Sequence, residues 1–267
     1  MIIVGELINS TRKKIKESME QKDAEYIRNL AVKQDEAGAN FIDVNAGAFV
    51  FDELEKLEWT IQEVQAVTKK PLAIDSPRGE AMALGLKLHK NGKPFINSIT
   101  KESERWKQVF PLAVETDAFV LGLCIDDGGI PDDADTRTKI AEGIINDLVK
   151  AGKKLEDIAI DPLTTPLSVN TSFGITVIDT IQKVKSAFPE VKLITGLSNI
   201  SYGLPARKQM NRAFMITCIT NGLDGALIDP LDSTMMSLIL ATEAILNKDP
   251  YCAGYLKAYR KGIVVKD

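Results

Sequence analysis

Short apolar runs alternate with longer amphipathic stretches along the chain, and this alternation is its strongest signal. Eight runs read as strands: Ile2–Ile8, Asn40–Asn45, Pro71–Asp75, Pro94–Ser98, Ala118–Leu123, Asp157–Asp161, Lys192–Leu197 and Asp224–Asp229. They are apolar almost throughout rather than at every second position, the mark of parallel strands covered on both faces. The intervening stretches repeat at helical spacing and carry start and stop signals. Asp23 is placed to cap a helix that ends near Gly38, and Ser76-Pro77 offers a cap and a first-turn proline. Pro205 is read as opening the helix that stops at Asn221-Gly222, and Asp232 as starting the last one. The longest irregular connection is read as Ile125–Asp133, a flap over one end of the sheet, and the tail from Asp249 is expected to pack outside. No composition break divides the chain, so one domain is expected over 1–267. Eight βα units without a linker predict an α/β fold, a (β/α)8 TIM barrel, with an open doubly wound sheet as the alternative.

Composition narrows the function classes. The 267 residues are 45% hydrophobic, ample for one large core, and the net charge of −4 lacks the basic face that nucleic acid requires. No apolar run is long enough for a bilayer, and Met1–Glu6 enters a strand without a charged region ahead of it, so the expectation is cytoplasmic. Three cysteines, Cys124, Cys218 and Cys252, suggest no disulfide framework. A single histidine, His89, leaves too few ligands for zinc, and the acidic flap lacks EF-hand spacing, so no metal site is expected.

Chemistry in a barrel comes from the C-terminal strand ends. Those ends offer Glu6 and Asn9, Asp43 and Asn45, Asp75, Asn97, Asp161, Asn199 and Asp229. Helix capping is the competing reading of such residues, strongest for Asp232 and weakest for Asp75, Asn97 and Asp161, which sit inside or at the last position of an apolar run. Asn199 follows Thr195-Gly196-Leu197-Ser198; it is either a turn residue tolerating a left-handed backbone or a group that holds a substrate nitrogen. Many carboxylates and carboxamides with almost no base suit a flat heterocycle edged with N–H donors and ring acceptors, such as the 2-amino-4-oxo edge of a pterin. Cys124 has no histidine partner and reads as pocket lining. Arg78, Arg207, Lys208 and Arg212 either meet an anionic tail or form a solvated helix face.

Six short motifs stand in order: Gly5-Glu6-Leu7-Ile8-Asn9, Asp43-Val44-Asn45-Ala46-Gly47, Ala73-Ile74-Asp75-Ser76, Ile96-Asn97-Ser98, Ile160-Asp161-Pro162-Leu163 and Gly196-Leu197-Ser198-Asn199. Together, with Asn211-Arg212-Ala213-Phe214, they resemble the pterin-binding barrel of methyltetrahydrofolate:corrinoid methyltransferases over nearly the whole chain. The resemblance implies a methyl group moved between N5 of tetrahydrofolate and the cobalt of cobalamin on a separate corrinoid protein. It implies that Asp75, Asn97 and Asp161 hold the pterin, that Gly196 and Ser198 line it, and that Asn199 hydrogen-bonds N5. Tyr202 and Arg207 would lie toward the rest of the folate. A homodimer formed through barrel helices is implied too. His89 sits in a H-x-x-G fragment of a cobalamin-ligand motif, but Lys87 stands where that motif needs Asp. The alternatives are a dihydropteroate synthase-like enzyme and a non-catalytic pterin-binding protein.

Overall fold

The computed structural model describes residues 1–265. Eight parallel strands close into a barrel in sequence order: β1 (Ile2–Asn9), β2 (Phe41–Asn45), β3 (Leu72–Asp75), β4 (Phe95–Lys101), β5 (Phe119–Asp126), β6 (Ile158–Asp161), β7 (Lys192–Gly196) and β8 (Gly225–Ile228). The helices are α1 (Lys13–Gln21), α2 (Ala24–Glu36), α3 (Glu53–Val67), α4 (Gly79–Leu88), α5 (Ser103–Glu115), α6 (Ala134–Lys150), α7 (Phe173–Ala187), α8 (Arg207–Thr220), α9 (Ser233–Ile245) and α10 (Ala253–Arg260). The eight strands coincide with the apolar runs of the sequence, and the closed barrel replaces the open-sheet alternative.

Closure depends on a small residue. Gly225 of β8 faces Ile2 of β1, and a Cβ there would lie 2.7 Å from the Ile2 carbonyl oxygen. On the opposite side of β1 the register with β2 shifts between Gly5 and Ile8, a bulge that re-aims the residues between them. Gln34 of α2 covers it by accepting from the Leu7 amide at 3.1 Å, and a Cβ at position 5 would lie 2.5 Å from Gln34 Oε1 and displace that side chain.

Two apolar layers follow from strands buried on both faces. The larger lies between sheet and helices and includes Ile42, Ile74, Ile96, Ile160 and Leu193. The smaller fills the barrel: Val4, Ala73, Phe95, Phe119, Leu121, Ala159 and Ile194. Phe41, Phe95 and Phe119, all at strand starts, pack ring on ring with centroids 5.1–6.3 Å apart and plug the bottom. Polar groups can therefore gather only at the other end.

Some boundaries differ from the sequence reading. Asp23 and Asp232 do cap α2 and α9, accepting from the Tyr26 and Met235 amides. Pro205 does not open a helix: α8 begins at Arg207, after Ala206 at φ +50°. Ser76 does not cap α4 directly; its hydroxyl accepts from the Arg78 amide at 3.0 Å, in a turn that precedes the helix. The longest irregular connection is residues 162–172, after β6, and not the expected flap, which β5 further shortens by running on to Asp126. The described part of the tail behaves as expected, with α10 packed against α9, while Lys266 and Asp267 lie outside the described residues.

Candidate functional site

Strand register builds one row of polar side chains at the barrel mouth. Asn45 stands beside Asp75, and Asp75 beside Asn97, on β2, β3 and β4. Asn45 Nδ2 donates to Asp75 Oδ2 at 2.7 Å, while Asn45 Oδ1 accepts from the Gly47 amide at 2.9 Å and the Ser10 hydroxyl at 3.2 Å. Asn97 Nδ2 donates to Asp43 Oδ1 at 3.0 Å. Across the barrel, Asp161 Oδ1 accepts from Thr195 Oγ1 at 2.7 Å and the Leu163 amide at 2.8 Å; its Oδ2 receives the Gly196 amide at 3.3 Å. Asn45 thus spends both ends on the protein, whereas Asp75 and Asn97 each spend one. Asp75 Oδ1 and Asn97 Oδ1 keep no partner among the described residues, and Asp161 Oδ2 holds one long bond.

Burial sets the electrostatics. It pushes the Asp75 carboxyl up from 3.8 to about 6; the Asn45 hydrogen bond and the Arg105 charge pull it down, and Glu53 adds to the rise. Asp43, deeper still, is raised by burial and then by the negative charge of Asp75. Asp161 is raised by burial, against its bonds to Thr195, Leu163 and Gly196 and the charge of Arg137. Glu6 is raised by burial, against Arg12 at 2.9 Å. Burial and the charges of neighbouring acids make each of these carboxyls hold its proton more readily than it would in water.

Asn199 lies in a 3-10 turn, Leu197–Ser201, directly after β7. It is exposed, and its carboxamide makes no hydrogen bond to the described residues; Nδ2 lies 3.7 Å from where a Cβ on Gly196 would stand. Ser198 is half-buried and presents its carbonyl to Arg207, which donates through Nη2 at 2.8 Å and through Nε to Ser201 Oγ at 3.0 Å. Arg207 also lies 5.9 Å from the Tyr202 ring centroid. Its nitrogens brace the turn that carries Asn199. A cavity of about 110 Å³ adjoins this turn, between Glu6, Ser198, Asn211, Asp229 and Met235.

Two arginines were not legible as site residues. Arg105 of α5 donates to the Ser76 and Ser98 carbonyls, each at 2.6 Å, with its Nη1 buried and without a partner among the described residues. Arg137 of α6 is fully buried and binds the carbonyls of Pro131, Pro162 and Leu163 at 2.6–2.8 Å, tying the loops after β5 and β6 together. The cysteines do not contribute a nucleophile. Cys124 is fully buried and its thiol is pushed far up, Cys218 is pushed up to about 12, and Cys252 is exposed on the outer face. His89 ends α4 at the bottom of the barrel, with Nε2 3.2 Å from the Gly92 carbonyl oxygen.

A model of the family described as "Pterin binding enzyme" matches residues 5–229, from the β1 bulge to the end of β8. The chain belongs to the pterin-binding enzymes. Within curated proteins it is 36% identical over 265 residues to a methylcorrinoid:tetrahydrofolate methyltransferase of Eubacterium limosum, covering 98% of this chain and 97% of that one. It is 29% identical over 241 residues to a methionine synthase of Mycobacterium tuberculosis, of which it spans 20%. Among solved structures, dihydropteroate synthases from Xanthomonas albilineans and Yersinia pestis superpose with TM-score 0.68 at 16% identity; they cover 94% and 92% of this chain, which covers 93% of each. That likeness is one of fold.

For a pterin-binding enzyme the mouth has a suitable donor set. Asp75 Oδ1, Asn97 Oδ1 and the singly bonded Asp161 Oδ2 are all acceptors with capacity to spare, and the 2-amino and ring N–H groups of a pterin are donors. A folded site that leaves three acceptors turned to the mouth fits that edge better than it fits a phosphate.

Proposed function

We propose that this protein is a methyltransferase acting between the cobalt of a corrinoid, carried by a separate protein, and N5 of tetrahydrofolate. The reading is carried by the full-length likeness to a methylcorrinoid:tetrahydrofolate methyltransferase. The acceptor-rich mouth supports it. That relative's name sets methylcorrinoid on the donor side, which favours tetrahydrofolate as the methyl acceptor here.

In this reading Asp75, Asn97 and Asp161 receive the pterin N–H groups, and Gly196 and Ser198 form the wall beside the ring. Asn199 acts at N5. Its Oδ1 accepts the N5 proton's hydrogen bond and so aims the N5 lone pair out of the mouth. Having no pKa of its own in the working range, it orients that proton without removing it. The proton passes to water or to a linked carboxyl group. Tyr202 and Arg207 border the outer part of the folate. The same contacts stabilise a protonated N5 when transfer runs the other way, where an amine must leave as the neutral group.

The corrinoid supplies the methyl–cobalt bond and arrives with its own protein. The one histidine, His89, lies at the end of the barrel opposite Asn199 and is engaged with Gly92. Exposed apolar side chains from five loops ring the mouth: Phe51, Ile130, Val169, Tyr202 and Leu231. They offer the partner a surface. A cytoplasmic homodimer with both mouths accessible completes the reading; no helix among the described residues is long and apolar enough to cross a membrane.

The test is direct. Purified protein given methylcobalamin and tetrahydrofolate should form 5-methyltetrahydrofolate. Absence of product from a sample shown to bind folate would count against the reading. Formation of dihydropteroate from a pterin pyrophosphate and p-aminobenzoate would favour the synthase reaction instead.

A further inference from the structure

Three buried oxygens form a short chain across β6 and β7. Thr164 Oγ1 lies 2.8 Å from Thr195 Oγ1, and Thr195 Oγ1 lies 2.7 Å from Asp161 Oδ1. Thr195 is fully buried, and Thr164 and Asp161 are nearly so. A hydroxyl has one hydrogen to give. An ionised carboxylate only accepts, so the Thr195 hydrogen goes to Asp161 and Thr195 must in turn accept from Thr164. The chain therefore has one direction, Thr164 to Thr195 to Asp161. With the Leu163 amide also on Oδ1, that oxygen is filled. The carboxylate cannot rotate without breaking two short bonds, and Oδ2, which holds only the Gly196 amide at 3.3 Å, is left as the acceptor with capacity to spare.

We propose that Thr195 is a positioning residue for folate recognition: oriented by Thr164, its hydroxyl locks Asp161 with Oδ2 turned to the barrel mouth. This rests on the reading in which Asp161 contacts the pterin. Thr195 touches no ligand itself. Burial works against ionised Asp161, so each donor on it matters. The other groups that bear on this carboxylate are the Arg137 guanidinium of α6 and the Cys124 thiol of β5, the latter kept neutral by burial.

Thr195→Val keeps the shape and removes the donor; Thr195→Ser keeps the donor. Tetrahydrofolate binding is measured by calorimetry from pH 5 to 9 for both, with Asp161→Asn as reference. Thr195→Val should bind about tenfold more weakly at pH 7. Its Asp161 takes up a proton more readily, so binding should fail at a higher pH than in the wild type as pH is lowered. Thr195→Ser should recover most of both effects. Unchanged affinity and pH profile in Thr195→Val, while Asp161→Asn loses binding, would overturn the proposal alone. Full binding by Asp161→Asn would overturn the reading beneath it. Should Thr195→Val fail to fold, Thr164→Val carries the same test: it frees the Thr195 hydroxyl to turn, and should shift the profile in the same direction by less. No shift there would overturn the proposal.

Discussion

Replacing Asp75 by asparagine should make the free protein more stable near neutral pH and a poorer folate binder. Its carboxyl titrates at about 6 in the folded chain against an ordinary 3.8. The folded state thus holds this proton more tightly than the unfolded state does. Stability falls as pH rises through that interval, and the deficit is complete above it. A difference of about 2.2 in pKa, at 1.36 kcal/mol each, makes the ionised group cost about 3 kcal/mol. Asparagine carries no charge and still offers an oxygen to Asn45 Nδ2. It also deprives Arg105 of a nearby anion, which returns part of the gain. A net stabilisation of about 1–2 kcal/mol at pH 7.5, or roughly 2–4 °C in Tm for a chain of this length, is expected. The gain should shrink at pH 5, where the wild-type carboxyl is largely protonated. Folate affinity should fall by about 1.5–3 kcal/mol, the worth of a hydrogen bond to a charged group. Urea denaturation of both proteins at the two pH values, with calorimetric folate titrations, makes the comparison. An Asp75→Asn protein that is less stable at pH 7.5, or whose gain is the same at pH 5, would refute the reasoning.

Arg137→Met should cost about 3 kcal/mol or more, because three buried carbonyls lose their donor at once; limited proteolysis should show new cleavage between 127 and 133 or between 162 and 172, and intact loops in the variant would contradict the role given to Arg137. Asp132 is the flap acid to reverse, since Asp126, Asp127 and Asp133 are engaged by Gly128, Ser103 and Thr136. Asp132→Lys should change the salt dependence of turnover with the corrinoid protein and leave the fold intact; an unchanged salt profile would remove the flap from the encounter.

The barrel was legible because parallel strands covered on both faces must be continuous apolar runs, and a helix between each pair leaves few ways to connect them. The position of Asp75 and Asp161 at the mouth was legible for the same reason, since each closes its strand; Asn97 stands beside Asp75 inside β4 by register. Asn45 and Asp43 became the partners of Asp75 and Asn97, which register decides and sequence spacing alone does not. Arg105 carried no signal. It sits on an ordinary amphipathic helix, and its importance arises from two carbonyls, of Ser76 and Ser98, that come together only when β3 and β4 pair. Residues 162–172 form a longer connection than the expected flap, because α7 begins only at Phe173. Arg207, which the resemblance directs toward the folate tail, spends its nitrogens on Ser198 and Ser201, contacts that exist only once the turn after β7 is formed.

Asn199 is where the account is most exposed. Its exposed, unengaged carboxamide at the end of β7 is proposed to act on N5 as charge changes there, so its removal should be felt in the chemical step more than in folate binding. Single-turnover methyl transfer between methylcobalamin and tetrahydrofolate, followed across pH in wild type and Asn199→Ala, measures this. The Asn199→Ala rate should be lower by about 100- to 1000-fold, as for loss of one positioned group, with a displaced pH profile and a much smaller fall in folate affinity. A variant that binds folate and transfers methyl at the wild-type rate would contradict it and leave Asn199 as a turn residue only.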